Sequence, residues 1–146
     1  MLTWEIATGL LIGAAAVAED LWRRQISNWT ALTLLAAGFL IRTVEEGWRG
    51  FGASLSGCAL GFGIFLIFYL LGGLGGGDVK LMAAFGALLG PMGIVTAAWV
   101  AAILGAFAAG SYLAWLRLRN RETRGLSIPY APAIVLGCWI TLGLLG

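Results

Sequence analysis

The sequence predicts an all-α membrane protein of six transmembrane helices, and three observations predict it. Of its 146 residues, 60% are hydrophobic and only 11% are charged. The mean hydropathy is +0.93. The apolar residues fall in six runs separated by short polar or glycine-rich stretches. A soluble domain carries about 25% charged residues; this chain cannot cover itself with polar side chains, so lipid must serve as most of its solvent.

The first run, 2–18, has Glu5 where a cleavable signal peptide would place basic residues, so it reads as a retained helix. Runs 29–44 and 51–72 follow, each near the length that crosses a bilayer. The fourth, 79–91, is short for a crossing. It fits a deep half-helix or a helix set where the bilayer is thinned. Pro91 has no N–H to continue a helical ladder and marks the turn into the fifth run, 92–116. The last run is 127–145. The connections leave no room for a linker, so residues 1–146 form one membrane-embedded domain. Pairs of glycines four apart, Gly57 with Gly61 and Gly86 with Gly90, suit close helix approach in lipid.

Basic residues set the orientation. Arg23, Arg24, Lys80, Arg117, Arg119, Arg121 and Arg124 lie on one side of the predicted topology, Arg42 and Arg49 on the other beside Glu45 and Glu46. The positive-inside rule gives the richer side to the cytoplasm and both termini to the extracytoplasmic side. The net charge of +2 is explained by these loops and argues for no nucleic-acid partner.

The chemistry available is narrow. Histidine is absent, which removes the commonest general base and the Ser-His and Cys-His arrangements. Cys58 and Cys138 form no CxxC pair, so neither a metal site nor a redox pair is expected. The chain has two aspartates, Asp20 and Asp78, both at junctions on the cytoplasmic side. Two carboxyls brought together tend to share one proton, leaving one member to activate water and the other to donate to a carbonyl oxygen. The residues alone leave simpler readings open. Asp78 could be a helix cap, and Asp20 could pair with Arg23 or Arg24. A cap does not need "GGLGGG" at 72–77 ahead of it, whereas a backbone that must admit an extended peptide gains from residues without Cβ. Lys80 is either an interfacial anchor or a charge that serves the carboxyls or the substrate backbone.

"GGGDVKL" resembles the GxGDxK motif of the type IV prepilin peptidases, with Gly75, Gly77, Asp78 and Lys80 at the motif positions and Gly76 between the two glycines. "DLWRRQISN" at 20–28 is similar to that family's first aspartate box, with Arg24, Ile26 and Asn28 in place and Ser27 where proline is usual. "SIPYAPAIVLG" at 127–137 resembles its final helix entry. The resemblance implies an aspartic endopeptidase of the bacterial inner membrane that cuts the short basic leader from prepilins at the cytoplasmic face, with Asp20 and Asp78 as catalytic residues and no cofactor. Its implied partners are the prepilin precursor and the lipid bilayer, and a homo-oligomer is compatible with it. Larger members carry paired CxxC motifs and also methylate the new N-terminus. This sequence has no such motif and looks like the compact peptidases of tight-adherence (Flp) pili, so methyltransferase activity is not expected. The rivals are a small proton-coupled carrier that uses Asp20 and Asp78 as protonation sites, and a non-catalytic assembly subunit.

Overall fold

A computed structural model describes residues 2–23, 26–119 and 130–145, and every element among them is a helix. The elements are α1 (Leu2–Arg23), α2 (Asn28–Glu46), α3 (Trp48–Leu70), α4 (Gly76–Leu118) and α5 (Ala131–Leu145). Helix α1 runs past the expected end at residue 18, so Asp20 stands in its last turn, with Arg23 where a cation complements the helix dipole. Ser27 caps α2: its Oγ accepts the Trp29 N–H at 3.2 Å. Gly47, at φ 61°, joins α2 directly to α3.

Helix α4 is two helical limbs meeting at Gly90, where φ is 72° and ψ −178°, a conformation open essentially to glycine alone. Pro91 follows, as the sequence predicted for the boundary between the fourth and fifth runs. The limbs fold back on each other. A Cβ placed on Gly61 would meet the Met82 carbonyl oxygen at 2.5 Å and the Ile94 side chain at 3.1 Å. In a straight helix, residues 82 and 94 would stand about 18 Å apart; here both reach one point on α3.

The first limb is the central post of the molecule. From Asp78 to Gly90 every residue but Lys80 is buried, and Leu81, Met82, Phe85 and Leu88 join Leu34, Ile94, Ile134 and Val135 in the core. Small residues allow the close fit. The Gly57 carbonyl fills the place a Cβ on Gly86 would take, and the Gly86 carbonyl does the same to Gly57. Gly38 lies against the Leu88 backbone, and Gly137 against the Ala97 carbonyl. Trp139 Nε1 donates to the Gly9 carbonyl at 3.0 Å, tying α5 to α1. At the end marked by Gly90, the Arg42 guanidinium packs against that glycine and pairs with Glu5 at 3.5 Å and Glu46 at 3.6 Å.

The outer surface is apolar. Leu11, Leu40, Ile67, Met92, Trp99 and Phe107 are all more than half exposed. Helices α3 and α4 are long and apolar enough to cross a membrane. Arg24, Arg121, Arg124 and the 127–129 part of the last predicted run lie outside the described residues.

Candidate active site

The glycine-rich stretch is shorter as a loop than the sequence suggested. Gly72, at φ 78°, ends α3, with its N–H donated to the Tyr69 carbonyl at 2.9 Å and the Gly73 N–H donated to the Phe68 carbonyl at 3.0 Å. This is the left-handed glycine termination common at helix C-termini. Gly75 is extended, and Gly76 and Gly77 already belong to the first turn of α4. Glycine costs little there, because first-turn N–H groups have no intrahelical partner to lose. Gly77 also faces Ile26: a Cβ on it would meet that side chain at 3.3 Å.

Asp78 closes this turn. Its Oδ2 accepts the Gly75 N–H at 3.2 Å, and its own N–H donates to the Gly75 carbonyl at 3.1 Å. The simpler expectation, a helix cap, therefore describes part of what Asp78 does. Asp78 is only 7% exposed, yet it borders an open cleft of about 540 Å³ that Asp20 also lines. The two carboxyls are close enough to interact electrostatically. Two residues 58 apart in sequence thus meet because α1 ends where α4 begins.

The start of α2 is held to α1 by a residue that sequence reasoning passed over. Glu19 Oε2 accepts the Ser27 N–H at 3.0 Å and the Thr30 hydroxyl at 2.8 Å. Ser27 has φ −62° and ψ 140°, angles that proline would also adopt. Position 27 keeps a proline-like backbone without proline, and Glu19 fixes it by accepting a hydrogen bond that proline could not donate. The available signal was a second carboxylate directly beside Asp20.

Of the supporting residues, Gly75, Gly76, Gly77, Ile26, Asn28 and Lys80 all line the cleft. Lys80 Nζ donates to Asn28 Oδ1 at 2.8 Å. Arg23, read from the sequence as a topology signal or as a partner for Asp20, borders the cleft as well. Arg24 lies outside the described residues.

Residues 7–110 match the type IV leader peptidase family, a stretch that contains every cleft residue named above. The chain belongs to that family. It is similar to a prepilin leader peptidase/N-methyltransferase of Bacillus subtilis (strain 168), 33% identical over 108 residues. The match covers 73% of this chain and 40% of the relative, so the chain spans well under half the length of that protein. No solved structure matches it. The cleft brings three carboxyls, Glu19, Asp20 and Asp78, together with a lysine and the accessible first turn of α4, so groups able to exchange protons stand beside room for an extended backbone.

Proposed function

We propose that this chain is an aspartic endopeptidase of the bacterial inner membrane that removes the short basic leader from Flp-like prepilins. The observation that carries the proposal is the meeting of Asp20 and Asp78 at one water-accessible cleft, in a chain that has no histidine and only these two aspartates. One ionised aspartate takes a proton from water as the oxygen attacks the scissile carbonyl. The other, protonated, donates to the carbonyl oxygen. Collapse of the tetrahedral intermediate breaks the C–N bond, and the proton held by the first aspartate passes to the leaving amine. The proposal covers hydrolysis only, and no residue of the cleft is assigned to methyl transfer.

In this reading the two limbs of α4 are separate crossings. That makes six, with both termini outside and the cleft facing the cytoplasm. Charge placement supports it, since Arg23 and Lys80 flank the cleft. The carrier reading is not favoured: both aspartates stand in terminal turns of their helices, where a proton pathway through a membrane would need carboxyls part-way across.

The test is cleavage of a Flp-type prepilin by purified protein in lipid vesicles. Asp20→Asn and Asp78→Asn should each leave the precursor intact while the wild type cuts it. Normal processing by either variant would refute the paired mechanism.

A further inference from the structure

Two apolar hollows, each of about 230 Å³, flank the cleft end of the molecule. One lies between α3, the second limb of α4 and α5, against Phe65, Phe68 and Tyr130, and shares no lining residue with the cleft. The other lies between α2, α3 and the first limb of α4, and two of its residues, Asn28 and Lys80, line the cleft as well. A chain leaving the aspartates on that side passes directly from polar walls to apolar ones.

We propose that this second groove seats the first turns of the substrate's apolar helix, with the Asn28–Lys80 pair at its mouth. The inference rests on the proteolytic reading and deepens it by saying where the uncut part of the substrate lies. The floor is made of small residues, Ala31, Ala83 and Ala84, and the walls include Leu35 and Phe62. Small residues on a helical surface let a second helix approach closely in lipid, where packing rather than water exclusion drives association. From Asn28 to Leu35 the groove follows α2 for about 10 Å, close to two turns of an incoming helix. At the mouth, an ammonium has three donors. Asn28 takes one of those on Lys80, which leaves two for carbonyls of the extended segment before it becomes helical.

Cys58 lines the same groove and is partly accessible, which supplies a native reporter. The experiment uses a prepilin that the wild-type protein cleaves, with one cysteine placed in the second turn of its apolar helix. Mild oxidation with Asp78→Asn, which holds uncut substrate, should give a disulfide to Cys58. A protein carrying Cys58→Ala and Leu74→Cys, with its thiol in the other hollow, should give at least fivefold less. Stronger capture by the Leu74→Cys protein, or equal capture by both, would overturn the assignment. As a second measurement, Leu32→Trp enlarges an exposed groove wall without touching the core, and should raise KM at least tenfold with kcat little changed. An unchanged KM would overturn it too. If the wild-type chain cuts no prepilin, the proteolytic reading itself falls, and that result is distinct from either groove outcome.

Discussion

The ammonium of Lys80 donates to the side-chain carbonyl of Asn28 at 2.8 Å, joining the start of α4 to the first residue of α2 across 52 residues of sequence. Neither partner is buried, so the bond does little for stability. Its place at the rim of the cleft gives it a different use, which is to hold the lysine where a peptide would pass. Lys80→Met should lower kcat/KM by about tenfold to a hundredfold, the loss expected for a hydrogen bond from a charged donor. Its melting temperature should stay within a few degrees of the wild type. Steady-state cleavage beside a thermal scan checks both.

The clamp formed by Glu19 predicts a coupling between two substitutions. Ser27→Pro suits the backbone angles at 27 but removes the N–H that Glu19 accepts and the hydroxyl that caps α2. In a Glu19→Ala background the first of these losses has already occurred. Ser27→Pro should therefore destabilise the Glu19→Ala protein less than the wild type, by about 1 kcal/mol, the usual worth of one hydrogen bond. Denaturation of the four proteins of the cycle measures the difference. Strict additivity would mean that the Glu19 contact is not formed.

Gly86→Ala should be among the most damaging single changes in the protein. The added methyl would collide with the Gly57 carbonyl, and main chain cannot step aside as a side chain can. Overpacking in cores costs about 1–3 kcal/mol, and a backbone obstacle puts this case at the upper end. Gly63→Ala on α3, where a Cβ meets nothing within 4 Å, is the matched control and should be close to neutral. Retained fold after detergent challenge reports the contrast.

Gly90→Ala tests the reversal of α4. The residue is held at φ 72°, and the Arg42 guanidinium occupies the space a Cβ would need. Strain of this kind costs about 1–3 kcal/mol. The variant should lose stability, and should lose less when made in an Arg42→Ala background, where the steric share is absent and the torsional share remains. An equal loss in both backgrounds would show that the backbone angle alone is limiting.

Much of the helical pattern was legible because lipid imposes long apolar runs, and Pro91 announced the reversal next to it. The start of α4 was misplaced by a few residues because glycine reads as a helix breaker, while the first helical turn lacks the hydrogen bonds that glycine would weaken. Asp20 and Asp78 stood out as candidates because a chain with two aspartates and no histidine offers few choices, and the family motifs fall on both; the structure brings both to one cleft. Glu19 did not. Its role depends on the chain doubling back between α1 and α2 so that an acceptor in one helix finds donors at the head of the next, and no spacing rule encodes that. The link between Lys80 and Asn28 was hidden for the same reason.

The glycine contact between α3 and the first limb of α4 has a mechanical consequence. Main chain pressed against main chain leaves no slack, so these helices move as one body, and Asp78 is bolted to it. Helix α1, which carries Asp20, leans chiefly on α2 and α5 and touches α4 only sparsely. The two aspartates are thus mounted unequally: Asp78 stands on a limb locked by the Gly57–Gly86 contact, and Asp20 on a helix braced mainly by its other neighbours.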